Sequence, residues 1–471
     1  MKKFYLTTTL PYVNAAPHIG FALEIIQADV IARFKRLSGF DVFFNFGTDE
    51  HGEKIYDKAI EAGKNPKTYC DEYATKFNQL KTTLNLSYDN FIRTTDPHHI
   101  KACQEFWRRC DKNGDIYKKN YKTKYCVGCE LEKTDSELVD GFCPLHSNRK
   151  LEIIEEENYF FRFSKYQEKL LSLYASNPKF IIPEHRLREI TEFVKNGLQD
   201  FSISRLKSKM PWGIDVPDDP EHVMYVWFDA LINYISALGW PDDEETFRQF
   251  WPGSQCAGKD NLRQQTAIWQ AMLLSAGLPN SKQIFIHGFI SVNGQKISKS
   301  LGNVIDPYKL VEKYGTDAVR YYLLREIPPF ADGDFSERRF KELNADLANG
   351  LGNLVARVAK LSNELRVTRY ELRYEKVING EYKKALEEFR FNDALAGIWE
   401  LVKETDKYID ESQPWKLQGK QLEDVLVKAI DNIRTIASLL QPFLPETSQK
   451  ILAQFQGPTI APQAPLFPRI K

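Results

Sequence analysis

The chain has 471 residues, more than one compact core ordinarily holds, so about three domains are expected. Hydrophobic residues make up 42% and charged residues 27%, and 64 basic residues balance 64 acidic ones. That balance excludes a protein that coats nucleic acid non-specifically, and the lack of an apolar run of about 18 residues excludes a membrane-spanning helix. The first apolar segment carries Asn14, His18 and Glu24, so no signal peptide is expected and the chain is placed in the cytoplasm.

From the N-terminus, Phe4 to Thr8 is a β-branched and aromatic run that predicts a strand. Turn formers between Pro11 and Pro17 predict a loop. From Ile19 onward, Leu23, Ile26, Val30, Ile31 and Phe34 recur at helical spacing, and Gly39 is placed to close that helix. Asp41 to Phe46 predicts a second strand, ending at Gly47. Strand, glycine-containing turn, helix and strand in this order predict an α/β protein with a parallel, doubly wound, Rossmann-like sheet. The pattern resumes with a strand at Val223–Trp227, a helix through Ala230, Ile235 and Leu238, a helix over 262–276, and a buried strand at Ile284–Ile286. Between these halves lies a charged insertion, about residues 113–215.

From Leu343 the pattern is helical throughout. Leu343, Leu347, Leu351, Leu354, Val358 and Leu361 give one apolar stripe. A last helix carries Val425, Leu426, Ala429, Ile433, Ile436 and Leu440, and Pro442 ends it. Two basic stripes in the insertion, Lys118 to Lys124 and Arg205 to Lys209, are candidates for contact with nucleic acid, a solvated face being the alternative.

Seven cysteines in a chain without a leader predict no disulfide framework, and Cys70, Cys103, Cys110 and Cys256 are read as ordinary reduced thiols. The other three combine with a histidine. Cys126-Val127-Gly128-Cys129 and Cys143-Pro144-Leu145-His146 form two knuckles whose four soft or borderline donors suit a closed, tetrahedral, structural Zn²⁺ site. Chance thiols or a redox pair are the alternative.

Two further segments carry chemistry. Pro17-His18-Ile19-Gly20 lies where a loop meets a helix N-terminus, a place of free backbone N–H groups and positive dipole that suits a phosphate, a helix-capping loop with a satisfied histidine being the alternative. Gly294-Gln295-Lys296-Ile297-Ser298-Lys299-Ser300 places two lysines among small hydroxyl residues. Such a loop can close over a triphosphate and neutralise charge as pyrophosphate departs.

In this order, the two segments resemble the signatures of class I aminoacyl-tRNA synthetases. The surrounding residues narrow the resemblance to the methionyl-tRNA synthetase family: Leu10-Pro11-Tyr12-Val13-Asn14, Thr48-Asp49-Glu50-His51-Gly52, Tyr225-Val226-Trp227-Phe228-Asp229-Ala230, Gly258-Lys259-Asp260 and His287-Gly288-Phe289. The resemblance covers essentially the whole chain. It implies activation of L-methionine by ATP with Mg²⁺, followed by transfer to tRNA(Met). It also implies site residues. His18, Gly20, Gly258, Asp260, His287, Lys296, Ser298 and Lys299 would meet ATP, with His18, Lys296 and Lys299 catalytic. Asp49 would hold the methionine ammonium, and Leu10, Tyr12, Trp227, Ala230, Leu231, Tyr234, Asp260 and Gln265 would line its pocket. Arg205 would couple the insertion to the reaction centre, and the family carries a zinc knuckle where Cys126, Cys129, Cys143 and His146 stand. Asn353, Arg357 and Trp415 would read the anticodon.

The expected domains are a catalytic domain in two halves, 1–112 and 216–300, the insertion 113–215, a stem-contact region 301–342 and a helical anticodon-binding domain 343–471. The chain stops soon after the bundle, so a monomer is expected. Two positions depart from the family pattern: Phe21 stands where the first signature ordinarily ends in histidine, and Gln264-Gln265 stand where Phe-His is usual. They admit two other readings, a paralogue with an altered pocket and a catalytically silent tRNA-binding protein. Retention of Asp49, Asp260, Lys296 and Lys299 favours an active enzyme.

Overall fold

Six strands pair in parallel to form the central sheet: β1 (Lys3–Thr8), β2 (Asp41–Thr48), β3 (Asn90–Arg93), β4 (Ile181–Ile182), β5 (Ser254–Gly258) and β6 (Gln283–His287). Their order is β3-β2-β1-β5-β6-β4, so the chain runs from β1 to β2 on one side and returns to β5 on the other. The computed structural model describes residues 1–128, 131–133, 137–144, 150–297, 302–363, 380–457 and 459–467.

The helix after β1, α1 (Ile19–Leu37), buries Ile19, Leu23, Ile26, Val30 and Phe34 against one face of the sheet. That apolar cluster continues through Phe44 and Phe285 into the C-terminal helices at Leu354, Ile398 and Ile433. The opposite face is covered by Phe106, Trp107, Trp269, Ile284 and Ile286. Two buried cores on two faces give the doubly wound α/β architecture its layers.

One buried arginine pins the helical part to the sheet. Arg320 is fully buried and donates to the Asp29 carboxylate of α1 at 2.8 Å and to the carbonyls of Leu84, Pro442 and Phe443. Asp29 also accepts from Arg33 and from both polar groups of Ser87. Burial alone would raise its carboxyl, but Arg320 and Arg33 hold it below the usual range.

Three expectations are corrected. The strand at Val223–Trp227 ends at Met224 and pairs antiparallel with Ser204–Leu206, outside the central sheet. The Tyr225 N–H goes to the Ile203 carbonyl, and Val226–Ala230 then coils into a short helix. The helix expected over 262–276 is present over 262–275, with a π turn, Gln264–Ile268, inside it before Trp269–Ser275. The helix ending near Pro442, Gly419–Leu440, is followed by another, Pro445–Gln454. Finally, β4 lies inside the insertion yet pairs with β6, so the insertion supplies an edge of the main sheet.

The insertion itself is built on a long antiparallel hairpin, Ile116–Cys126 with Glu152–Phe161. Lys122 pairs with Glu155, Lys118 with Asp219, Lys207 with Asp215 and Lys209 with Glu156. The basic stripes are thus drawn into intramolecular ion pairs. No helix among the described residues is long and apolar enough to cross a membrane.

Candidate active site

The candidate residues gather at the C-terminal ends of four adjacent strands: His18 after β1, Asp49 after β2, Asp260 after β5 and His287 at the end of β6. This end of the sheet, where the chain order reverses between β1 and β5, is where open α/β sheets bind ligands.

His18 caps α1. Its Nδ1 accepts from the Gly20 N–H at 3.1 Å, which in the neutral ring leaves the proton on Nε2. A Cβ at position 20 would lie 2.8 Å from the His18 ring, so glycine is needed there for the cap itself. The free N–H groups expected at this terminus are spent: Ile19 donates to the Ile305 carbonyl, and Phe21 and Ala22 donate to the His18 carbonyl. What the terminus offers is the His18 ring and the dipole behind it. Phe21 supports that ring, its centroid 4.4 Å from the imidazole and its edge against Phe77.

A buried carboxylate joins three elements of the site. Glu24, on the inner face of α1, accepts from the Thr9 N–H and hydroxyl, and its other oxygen lies 2.9 Å from His287 Nε2. His287 Nδ1 donates to the Gly288 carbonyl at 2.7 Å, so both ring nitrogens face acceptors. Burial opposes charging this imidazole, but the Glu24 carboxylate outweighs it and raises its pKa above the ordinary value. A Cβ at Gly258 would meet Asp260 at 2.8 Å and the His287 ring at 3.6 Å, which places these three together. Neither Glu24 nor Thr9 is among the site residues that the sequence implies. The available signal was a carboxylate inside the buried stripe of α1.

The turn after β2 is fixed by its own hydrogen bonds. Asp49 is buried, and its backbone pairs with Pro11 and Val13 of the first signature loop. Next to it, Glu50 is held by both arms of Arg93 and by the hydroxyls of Thr48 and Thr95. His51 meets Asp229 at 2.9 Å, and burial pushes the Asp229 carboxyl up while His51 acts against it.

The expected pocket residues divide into two groups. Ala230, Leu231, Tyr234 and Gln265 are buried, whereas Leu10, Tyr12 and Trp227 are half-buried. Tyr12 and Trp227 pack with Tyr125, Val127 and Tyr225, so the insertion forms part of the aromatic wall. Tyr234 keeps its phenol proton because it is buried, and the carboxylates of Glu24 and Asp49 act in the same sense. That places its hydroxyl among the site's charged groups. Gln265 sits in the π turn and donates to the Tyr234 hydroxyl at 2.6 Å. π turns often mark functional positions, and a second one, Ala348–Gly352, directly precedes Asn353. Asp260 is exposed at the rim of the site.

The stem of the lysine loop is a hairpin, Ile290–Val292 with Gln295–Lys296, turning on Asn293-Gly294, both in the left-handed region. The Lys296 side chain, Ser298 and Lys299 lie outside the described residues.

Arg205 is buried between the insertion and the pocket. It donates to Ser202 and to the Ser204 carbonyl, and lies over the rings of Tyr225 and Tyr125. Those two phenols share a hydrogen bond of 2.6 Å. Of the four expected zinc ligands, Cys126 and Cys143 are buried, while Cys129 and His146 lie outside the described residues. Among the described residues, no group of three or more metal-binding side chains occurs. Cys70, Cys103, Cys110 and Cys256 are buried and free.

In the helical part, Arg357 lies 5.7 Å from the Trp415 ring and pairs with Asp406 and Asp410. Trp415 is 55% exposed, an unusual position for so large a ring, and Asn353 is exposed one turn before Arg357.

The chain is similar to known proteins in sequence and fold. The family model described as "tRNA synthetases class I (M)" matches residues 4–152 and 145–359, and "Anticodon-binding domain of tRNA ligase" matches 372–471. The methionine–tRNA ligase of Thermotoga maritima is 44% identical over 95% of this chain and 74% of its own length. That of a Nostoc species is 45% identical over 96% of this chain and 90% of its own length. A solved structure of Mycobacterium tuberculosis methionyl-tRNA synthetase in complex with methionyl-adenylate superposes with a TM-score of 0.93 at 39% identity, covering 100% of both chains. The free-state structure of that enzyme, at 36% identity and covering 100% of this chain and 99% of its own, gives 0.86. This chain belongs to the methionine–tRNA ligases, within the class I aminoacyl-tRNA synthetases.

Proposed function

We propose that the enzyme activates L-methionine with ATP, forming methionyl-adenylate and pyrophosphate, and then transfers methionine to the 3′ end of tRNA(Met). The observation that carries this reading is the convergence of His18, Asp49, Asp260 and His287 at adjacent strand ends, on a chain of this family. In the first step the methionine carboxylate attacks the α-phosphate and the bond to pyrophosphate breaks. In the second, a ribose hydroxyl of the terminal nucleotide takes the acyl group and AMP leaves.

Each residue has a part that its chemistry supports. The Nε2–H of His18 points a donor at a phosphate oxygen as charge develops. The Asp49 carboxylate holds the methionine ammonium. Leu10, Tyr12, Trp227, Ala230, Leu231 and Tyr234 enclose the side chain, because a thioether favours aromatic contact over strong hydrogen bonds. Asp260 and Gly258 meet the ribose, with His287 beside them. Gly20, Lys296, Ser298 and Lys299 complete the triphosphate site, and Mg²⁺ enters with ATP as part of the substrate. Positioning and charge stabilisation suffice for this chemistry without a general base. Arg205 couples the insertion to the pocket wall through Tyr225, the residue that starts the Trp227 helix.

Zinc fits the donors present. Cys126 and Cys143 are buried thiols at the ends of the two knuckles, and Cys129 and His146 complete a tetrahedral set by spacing. Bound there, zinc would staple the insertion beside Gly128, whose carbonyl accepts from Lys54. Asn353, Arg357 and Trp415 form the anticodon contact, with the exposed indole stacking on a base. The reaction serves translation, and we place it in the cytoplasm.

Pyrophosphate exchange measured with each amino acid tests this reading. Methionine-dependent exchange is expected. Exchange with a different amino acid would indicate a paralogue with another substrate, and none at all would indicate a tRNA-binding protein.

A further inference from the structure

Two polar staples join the segment that carries Asp49 to the segment that carries Ala230 and Leu231. On β2 and the turn after it, Asn45 and His51 stand on either side of Asp49. On the other segment, Asp229 and Asn233 stand on either side of Ala230 and Leu231. His51 Nδ1 lies 2.9 Å from Asp229 Oδ2, and Asn45 Nδ2 donates to Asn233 Oδ1 at 3.4 Å. The partners are 178 and 188 residues apart in sequence, so both staples exist only in the folded chain. Asn233 Nδ2 donates to the Ala230 carbonyl at 2.6 Å, and a carbonyl can only accept. Its Oδ1 is therefore the acceptor turned toward Asn45. The His51–Asp229 bond forms with the proton on either partner, because an imidazole nitrogen donates to a carboxylate or accepts from a carboxylic acid. All four residues are at most 4% exposed, so losing one staple leaves a buried polar group unsatisfied. Glu50, between Asp49 and His51, is gripped by both arms of Arg93, so the turn does not absorb a shift by itself.

We propose that Asn45, His51, Asp229 and Asn233 are positioning residues that set the span between the carboxylate holding the substrate ammonium and the wall meeting its side chain, and thereby the length of amino acid accepted. The proposal rests on Asp49, Ala230 and Leu231 having the parts set out above. Asp49 fixes one end of the amino acid and the Ala230–Leu231 wall bounds the other. With both staples closed, a side chain longer by one methylene has to break buried hydrogen bonds to enter. With one staple open, the wall withdraws, the longer side chain fits, and methionine itself is held less closely.

The test is pyrophosphate exchange, measuring kcat and KM for methionine, for ATP, and for ethionine, the homologue longer by one methylene. His51→Ala should raise KM for methionine about tenfold, a part of the roughly 100-fold that a displacement of about 1 Å costs, with KM for ATP little changed. The preference for methionine over ethionine in kcat/KM should fall about threefold or more, out of the roughly 10- to 200-fold that one methylene is worth. His51→Asn places an amide nitrogen where Nδ1 stands, keeps the bond to Asp229, and should restore both readings. Asn45→Ala removes the other staple without touching the pocket wall. It should move the two readings in the same direction, and it carries the test where His51→Ala does not fold. If both alanine variants leave KM for methionine and the preference unchanged, the proposal is refuted. It is refuted equally if KM for ATP rises in parallel, or if His51→Asn is as impaired as His51→Ala. Asp49→Ala separates the proposal from the reading beneath it. If that variant leaves KM for methionine unchanged, the site assignment fails and the proposal with it. If it raises that KM while the staple variants do not, the proposal alone fails.

Discussion

The backbone N–H of Ile19 donates to the carbonyl oxygen of Ile305 at 3.0 Å, and this bond ties the first signature segment to the chain that follows the second. Ile19 follows the histidine that caps α1, and Ile305 lies just before the helix Pro307–Tyr314, downstream of the lysine segment in sequence. An orphan donor of the helix terminus has been used to link the two halves of the site.

The cap predicts a sharp effect from a small change. Gly20→Ala places a methyl group against the His18 ring, which has to leave its position on the Gly20 N–H. Pyrophosphate exchange should fall about 10- to 100-fold, as misplacement of a catalytic group by about 1 Å does. Tm should change little, because Gly20 is in helical backbone and not at positive φ.

The Glu24–His287 pair predicts a titration. Glu24→Gln removes the carboxylate that raises the His287 pKa, so histidine NMR should show this ring losing its proton at lower pH than in the unaltered protein. The sign for stability follows. A raised folded pKa means that the pair stabilises fully below the unfolded histidine pKa, near 6.5, and that this is lost as pH rises through the folded value. Glu24→Gln should flatten that part of the stability profile.

The Arg320–Asp29 pair predicts a large cost for losing the carboxylate. Asp29→Asn leaves the fully buried Arg320 without its carboxylate, worth about 3–5 kcal/mol in urea unfolding, and Arg320→Met, after which Asp29 still pairs with Arg33, should cost less. The double variant should cost less than the sum of the singles. The depressed Asp29 pKa contributes stability above the ordinary carboxyl range, near pH 4, and that is lost as pH falls through the folded value.

The exposed indole predicts a separation of steps. Trp415→Ala should raise KM for tRNA(Met) about 10- to 100-fold, the worth of one stacked base. Pyrophosphate exchange takes place without tRNA, so it should not follow that loss.

Sequence made much of this visible, and the remainder was hidden for physical reasons. β1, α1, β2 and β6 announce themselves by β-branched runs or helical spacing, and the site motifs sit at their ends. β5 does not: Ser254-Gln255-Cys256-Ala257-Gly258 has no β-branched residue, and it is a strand because neighbours pair with it on both sides. Val223–Trp227 misled in the opposite sense, since local propensity does not show where the Tyr225 N–H finds its partner. Glu24 and His287 are 263 residues apart, and their pairing exists only once the sheet closes. Motifs record what the chemistry needs, and the fold supplies the groups that hold it.

The most direct measurement of the central claim is charging of tRNA(Met) with labelled methionine by the intact enzyme and by its Asp49→Ala variant. The intact enzyme should form methionyl-tRNA, and the variant should lose activation and charging together, because the ammonium of methionine has lost its partner. Charging with a different amino acid, or an Asp49→Ala variant that charges methionine as well as the intact enzyme, would contradict the account.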